Sequence, residues 1–568
     1  MYLKEIEEKI KNILKKEYNI FVFLKNNPKE KENFDLCLPL FLYQKIFNID
    51  LLEIFEKFKQ KIIILEEIEN IFFKNGFLNI KLNRNCFSQK ILTDIIVQKN
   101  NYGQEKQKNK VIVLDYSSPN IAKNFSIGHL RSTVIGNAMK NVYQKLGFQT
   151  VSINHLGDWG TQFGKLILAY QKWSSKDSIL KKSIDELQKL YIMFHEKSEK
   201  NEELNREAKF IFYQLENKNK DILSLWRWFK NISLKEFKKI YNLLNVSFDF
   251  YTGESFFHTK ALKLLKQLIK KNLLFLDKKA YIIPLDNHIP PALLQKDNGS
   301  TLYLTRDLAC VLYRYKKFNF HQCLYFVGNE QKLHYQQLKQ VLNKIGYSEL
   351  NIEHINFGLV LFQNEKISTR KNHNYKFIDI LQKTIDEAVN FMKNKNNNSN
   401  KIELKKIAQK IAIGAIVFND LKNDRHLDIE FDLKKMVQFE GNTGPYLQYT
   451  IVRLNSIISK NYDKKKLHEY NWSKMNVYYQ KNHYFILIKL MDQFSVTLNK
   501  SKNKNMPSIF ARYLLLLAQN TNKFYNQEKI LVINNLILQE SNILIMKAVA
   551  IVLKEGLRIL GIPVLEKM

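Results

Sequence analysis

Residues 117–129, SSPNIAKNFSIGH, set a lysine, Lys123, and a histidine, His129, around Ser126 and Gly128. Gly128 lets backbone approach a phosphate closely, and Lys123 and His129 can supply positive charge or donors to it. The flanks indicate what positions them. Residues 111–116, VIVLDY, read as a buried strand, nearly continuous in apolar residues as parallel strands are. Beyond the corner, Leu130, Val134, Ala138, Val142 and Leu146 recur every four residues, and Gly147 is a natural helix stop. Residues 150–154 then read as a second strand. In such a β-α-β unit, ligands lie beyond the carboxyl ends of the strands, at the helix N-terminus.

Further stretches can join this corner. Residues 154–164, NHLGDWGTQFG, follow the second strand; their glycines with Asp158, Trp159 and Gln162 suit a tight loop lining a pocket, or a turn around a buried Trp. In STLYLTRDLA, residues 300–309, Tyr303 and Asp307 stand four apart and share a face of a helical turn. A phenol beside a carboxylate can receive a cationic ligand, through a cation–π face and a charge-assisted hydrogen bond. Arg306 and Asp307 also read as a plain surface pair. Residues 365–372, EKISTRKN, place Lys366, Arg370 and Lys371 around Ser368 and Thr369. A short basic, hydroxyl-rich loop of this kind can fold over a triphosphate, or remain a solvated run. Residues 439–454, FEGNTGPYLQYTIVRL, carry Tyr446, Gln448, Tyr449 and Arg453 on a helix. Aromatics interleaved with Arg suit base stacking and phosphate contact, and equally a helix–helix interface.

Lys and Arg number 89 against 55 Asp and Glu, a formal charge of +34 that favours a polyanionic partner such as nucleic acid. Lys and Asn are abundant throughout, so part of that charge also reads as solvated surface. A chain of 568 residues exceeds what one core supports and predicts roughly three or four domains. Cys37, Cys86, Cys310 and Cys323 form no Cys-x-x-Cys pair, which argues against a zinc knuckle or a disulfide framework and for a reduced, cytoplasmic compartment. No run of about 18 apolar residues is evident, so no membrane span is expected. The opening residues alternate charge with apolar positions like a helix, not like a signal peptide.

Residues 98–110 are polar and aperiodic and read as a linker. A segment of mixed helix and strand pattern precedes them. Residues 393–401 are nearly all Asn and Lys, and beyond them IAQKIAIGAIVFNDL, GPYLQYTIVRLNSII, PSIFARYLLLLAQNTNKFY and ILIMKAVAIVLKEGLRILG show helical spacing. The expected fold class is α/β: a Rossmann-like parallel-sheet domain at 107–392, with an insertion at about 170–250. An α+β domain at 1–100 precedes it and an all-α helical bundle at 402–568 follows.

Taken in order, SSPNIAKNFSIGHLRST, NHLGDWGTQFG, LYLTRD, KISTRK, FEGNTGPYLQYT and the closing GLRILGIPVLEKM resemble the arginyl-tRNA synthetases, members of the class I synthetases. The likeness runs from about residue 107 to the end. It implies an N-terminal tRNA-binding domain, a class I catalytic domain and a helical anticodon-binding domain. It implies ATP-dependent activation of L-arginine to arginyl-adenylate, then transfer to the 3′ end of tRNA(Arg), in protein synthesis. ATP with Mg2+ would be the co-substrate, with no tightly bound metal or organic cofactor, in a monomeric cytoplasmic enzyme without membrane association.

Residue by residue, the resemblance gives catalytic roles to Lys123, Gly128, His129, Lys366, Ser368 and Arg370. It gives ATP contacts to Pro119, Ser126, Ile127, Gly128, His129, Thr369 and Lys371. Arginine would be held by Asp115, Asn120 and His155 at its α-amino and carboxylate end, and by Tyr303, Asp307, Gln331 and Glu254 at its guanidinium. Tyr446, Gln448, Tyr449 and Arg453 are the tRNA contacts it implies. Ser126 stands where the family usually has the first histidine of its His-x-Gly-His signature. Loss of a preorganised donor costs about 3 kcal/mol in other enzymes, so slower activation is expected unless a neighbour substitutes. Thr369 stands where the class has a second lysine, which gives Lys123 a compensating role. Two alternatives stay open: charging of a different amino acid, against which Tyr303 and Asp307 argue, and a tRNA-binding relic with little catalysis.

Overall fold

The computed structural model describes residues 1–26, 34–199, 201–286, 288–297, 299, 301–362, 365–366, 376–393, 401–460, 467–528, 530 and 534–566. The first hundred residues build a four-stranded antiparallel sheet, flanked by helices Tyr2–Tyr18, Leu51–Ile62 and Arg84–Gln98. The polar stretch at 98–110 is more ordered than a linker. A helical turn spans Lys99–Asn101, and Tyr102 is buried, its ring 5.9 Å from that of Phe494. Lys108 already belongs to a strand, because its amide and that of Glu105 donate to the carbonyls of Gly147 (2.7 Å) and Lys145 (3.1 Å). Main-chain pairing of this sort is indifferent to side-chain polarity.

A parallel five-stranded sheet follows. Its parts, in chain order, are β1 (Lys108–Asp115), α1 (Ile127–Lys145), β2 (Phe148–Leu156), then the helical insertion with α2 (Ile184–Ser198) and α3 (Lys220–Leu243). β3 (Phe250–Gly253), α4 (Glu254–Lys270), α5 (Tyr303–Phe318), β4 (Gln322–Tyr325), α6 (Lys332–Lys344) and β5 (Ile352–His354) complete it. The strand order is β5-β4-β1-β2-β3, with every neighbouring pair parallel. The order reverses between β1 and β4, where Asp115 lies opposite Tyr325; ligands bind at such a switch point. Ile112 and Leu114 enter one apolar core and Val113 another, so both faces of β1 are covered. That double burial is why the strand reads as an unbroken apolar run.

A short second sheet comes next. β6 (Val360–Phe362) pairs antiparallel with β7 (Glu365–Lys366) and parallel with β8 (Ile429–Glu430), which lies beyond α7 (Lys401–Leu421). The remaining long helices are α8 (Gly444–Lys460), α9 (Asn482–Lys504), α10 (Pro507–Gln527) and α11 (Leu536–Leu560). Among the described residues α11 is the one helix long and apolar enough to cross a bilayer, and 67% of its most apolar window is buried inside the fold. It is the core helix of the bundle.

Candidate active site

The loop after β1 is held in an unusual backbone. Ser117, Ser118 and Ala122 sit at φ of 73°, 47° and 61°, a region costly for residues with a Cβ and most often found at functional sites. Hydroxyls stabilise it from beneath. Ser132 Oγ accepts from the Ser117 amide at 2.9 Å, Ser117 Oγ meets Tyr241 OH at 2.8 Å, and Ser233 Oγ accepts from the Ala122 amide at 2.8 Å. Asn120 is exposed, and the backbone beside it packs so closely on Gly157 that any Cβ there would collide with the Asn120 Oδ1.

Ser126 is the N-cap of α1, and His129, three residues on, folds back over it. The Ser126 amide donates to His129 Nδ1 at 3.0 Å, and the Ser126 hydroxyl lies 3.0 Å from the same nitrogen. A backbone N–H can only donate, so Nδ1 is the acceptor and Nε2 carries the ring proton. Burial, reinforced by the charge of Lys123, lowers His129 to about 4, so the ring is a neutral donor at neutral pH. Gly128 is exposed; a Cβ there would meet nothing nearer than Ser126 Oγ at 3.6 Å. The Lys123 ammonium lies 4.8 Å from the ring centre of Tyr191 in α2. The same helix supplies Gln188, accepting from the Asn124 amide at 2.8 Å, and Asp185, accepting from Asn124 Nδ2 and Lys376 Nζ at 2.7 Å each. Lys376 also bridges to Ser126 through backbone. Lys366 is described through its backbone at the end of β7. Ser368, Thr369, Arg370 and Lys371 lie outside the described residues.

Across the switch point stands an acidic cluster in which each carboxyl group already has a basic partner within the chain. Asp115 Oδ2 is 2.7 Å from Arg314 Nη2, both side chains buried, and the Ser118 hydroxyl donates to Asp115 Oδ1 at 2.9 Å. Glu254, at the first turn of α4, meets Arg306 Nη2 at 3.1 Å, and the Arg306 guanidinium lies 4.7 Å from the Tyr303 ring centre. Asp307 Oδ2 meets His334 Nε2 at 2.7 Å. These environments part the two carboxyls. Burial pushes Glu254 up to about 8, which Arg306 only partly offsets. At Asp307 burial also pushes upward, but His334, His155 and Arg314 outweigh it and the pKa is lowered.

His155 lies within the same field: burial lowers it, Asp115 and Asp307 pull the other way, and its Nε2 finds no partner among the described residues. Tyr303 is 58% exposed at the mouth, within electrostatic reach of Tyr191 beside Lys123. Gln331 is the exposed N-cap of α6, three residues before His334 and therefore on its face. Asp115, His155, Glu254, Tyr303 and Asp307 thus come together, with Gln331 on the helix that reaches Asp307.

Two other sequence expectations resolve differently. Asp158 is fully buried; its carboxylate accepts from Ser255 N at 2.8 Å and Oγ at 2.7 Å and pairs with Lys230 at 2.6 Å. It pins the start of α4. Trp159 is buried against Phe212, Trp226 and His258, the turn-around-a-Trp alternative. Of the four residues expected to contact tRNA, Gln448 is a correction. It is 0% exposed, its Nε2 donating to Lys410 O at 3.1 Å and Pro563 O at 2.8 Å, which leaves no side-chain surface for RNA. Tyr446 accepts from Asn522 at 2.7 Å; Tyr449 stacks on Phe439, and the Arg453 guanidinium lies 4.4 Å from the Tyr525 ring centre.

Residues 91–433 match the family model of the class I (R) tRNA synthetase catalytic domain, and residues 447–568 match the DALR anticodon binding domain. The chain belongs to the class I arginyl-tRNA synthetase family. It is 39% identical to the arginine–tRNA ligase of Exiguobacterium sibiricum, covering 95% of each chain. It is 40% identical to that of Enterococcus faecalis, covering 96% of this chain and 95% of the other. The fold agrees over the whole chain with the arginyl-tRNA synthetases of Thermus thermophilus (TM-score 0.81, 20% identity, 100% of both chains) and Plasmodium falciparum (TM-score 0.78, 24% identity, 100% and 99%).

Arg306, Arg314 and His334 are the members of the acidic cluster that sequence reasoning missed. A signal existed for one of them: Arg314 falls in line with Tyr303 and Asp307, at 303, 307 and 314, a polar stripe along α5. His334 comes from another helix and left no such trace.

Proposed function

We propose the following division of labour for the reaction of this family, ATP-dependent activation of arginine and its transfer to tRNA. The observation that carries it is the meeting, at one switch point, of a helix N-terminus bearing neutral His129 with a cluster of acidic side chains, each paired with a basic group of the chain. ATP lies along the N-terminus of α1, over Pro119, Ile127 and exposed Gly128, with its phosphates toward His129 and Lys123. His129 donates through Nε2, and the amides of the first turn of α1 favour negative charge. Lys366, Ser368, Thr369, Arg370 and Lys371 close the phosphate side.

The arginine guanidinium enters past Tyr303 toward Asp307 and Glu254, with Gln331 at the rim. Its α-amino and carboxylate end faces Asp115, Asn120 and His155. A planar fork met by carboxylate and phenol geometry discriminates against lysine, whose point charge cannot use two directions at once. The substrate carboxylate attacks the α-phosphate and pyrophosphate leaves, so no protein nucleophile is needed. Positioning and stabilisation of the developing phosphate charge supply the catalysis.

Mg2+ arrives with ATP as part of the substrate; among the described residues no group of three or more His, Cys, Asp or Glu is placed to hold an ion by itself. The helical region from 402 onward reads the tRNA, and the chain divides at 1–100, 107–392 and 402–568. The enzyme acts as a cytoplasmic monomer. The test is arginine-dependent ATP–pyrophosphate exchange, with and without tRNA from the source cell. Exchange with arginine and not lysine supports the reading. Exchange with another amino acid overturns the pocket assignment, and no exchange under any condition favours the relic.

A further inference from the structure

One buried ion pair lies outside this division of labour. Arg131 follows His129 by two residues in α1, and Asp420 stands in the last turn of α7; their side chains are 0% and 1% exposed. Arg131 Nε and Asp420 Oδ1 are 3.5 Å apart, close enough for an ion pair and too far for a well-made hydrogen bond. Arg131 Nη2 and both Asp420 oxygens find no hydrogen-bond partner among the described residues. Burial raises the Asp420 carboxyl to about 6 although Arg131 pulls it down. A pair this poorly satisfied is a weak source of stability, since apolar replacements of similar volume are often neutral or stabilising.

The surroundings give the pair a different task. Arg131 Nη1 donates to the carbonyl of Leu359 at 3.1 Å, and the Ile429 amide of β8 donates to the same carbonyl at 3.0 Å. Leu359 immediately precedes β6, which leads through β7 to Lys366. The segment following Asp420 grips the same run: Asp428 accepts from the Leu359 amide at 2.6 Å, and the Arg425 carbonyl accepts from the Gly358 amide at 2.9 Å. Strand β6 is therefore suspended between the helix whose first turn carries His129 and the chain that continues from α7.

We propose that Arg131 and Asp420 are positioning residues that set β6, and with it Lys366, relative to His129 at the N-terminus of α1. The inference rests on the functional reading above. It says that the pair works through geometry of the phosphate side, with no direct contact to substrate.

The full-length enzyme and three variants test it: Asp420→Asn, Arg131→Lys, and the paired apolar change Arg131→Met with Asp420→Leu. Each is assayed by ATP–pyrophosphate exchange with arginine and by thermal denaturation. The expected result for the apolar double variant is a melting temperature at or above the parent with kcat lowered on the order of 10- to 100-fold, KM for arginine unchanged. Arg131→Lys, which keeps the charge, is expected to recover part of that loss. A double variant with parental stability and parental kcat overturns the proposal. Hydrogen exchange gives an arm independent of activity: Asp420→Asn is expected to speed exchange of the amides of residues 358–362. Unchanged exchange there overturns the proposal even if the parent proves inactive, an outcome that would separately sink the functional reading.

Discussion

At the acidic cluster, charge is recognised by groups that already have partners; at the start of α1, it is met by groups kept neutral or masked. Asp115, Glu254 and Asp307 lie against Arg314, Arg306 and His334, so on the proposed reading a guanidinium arriving there joins groups that are already paired. His129 is instead held uncharged by burial and by the charge of Lys123, whose ammonium rests on a tyrosine ring. The difference follows from what each ligand brings. A lone carboxylate cluster would repel itself when empty, and basic partners within the chain hold its geometry. A helix N-terminus already carries partial positive charge, so it needs oriented donors more than further cations.

The contrast can be broken at the His129 end first. His129→Ala is expected to lower kcat for pyrophosphate exchange by about 10²–10³, the range for loss of one preorganised donor, and to leave KM for arginine near the parental value. Asp307→Asn should do the opposite, raising KM for arginine on the order of 10²-fold by leaving a charge-assisted pair unmade. Should both variants alter the same kinetic constant, the two halves would not be separate.

Glu254 sharpens the comparison through pH. With its pKa raised to about 8, it is mostly protonated at neutral pH and becomes an effective partner for cations only above that value. KM for arginine is therefore expected to fall as pH rises from 7 to 9, by up to about tenfold, and Glu254→Gln should flatten that limb. The stability consequence has a definite sign. From the ordinary value of 4.5 up to about 8 the folded state holds a proton that the unfolded chain has released, so this group's contribution to stability falls as pH climbs through that window. Thermal melts of the parent and Glu254→Gln across it measure the difference.

The smallest effect is expected at Ser126. Ser126→Ala removes an N-cap and the His129 contact, costing about 1 kcal/mol of stability and a modest share of the rate. The resemblance implies slower activation with serine at this position unless a neighbour substitutes. The His129 tautomer is fixed by the backbone amide of residue 126, which a histidine there would keep, while the N-cap would be lost; Ser126→His is therefore expected to give no gain, which exchange kinetics on the two variants would decide.

The β1–α1–β2 unit was legible because its signals are local: period, apolar run and a stop at Gly147. Tyr303 and Asp307 were legible for the same reason, being one turn apart on α5. The partner of Asp307 was not, because His334 acquires meaning only when α5 and α6 are brought to one edge of the sheet. Gln448 misled because a polar side chain on an amphipathic helix reads as surface, while here it is buried and bridges two main-chain carbonyls. Asp420 and Arg131, far apart in the chain, gave no local sign at all.

The pairing of β6 with β8 has a practical meaning for anyone wishing to divide this chain. The polar run near residues 393–401 invites a cut, yet β8 lies beyond it and completes a sheet begun before it. Each fragment from such a cut would present an unmatched strand edge, prone to stick to its own kind. Fragments made together in one cell should find each other through that edge and through Arg425. What reads as a gap between domains is, in covalent terms, the wrong place to open the molecule.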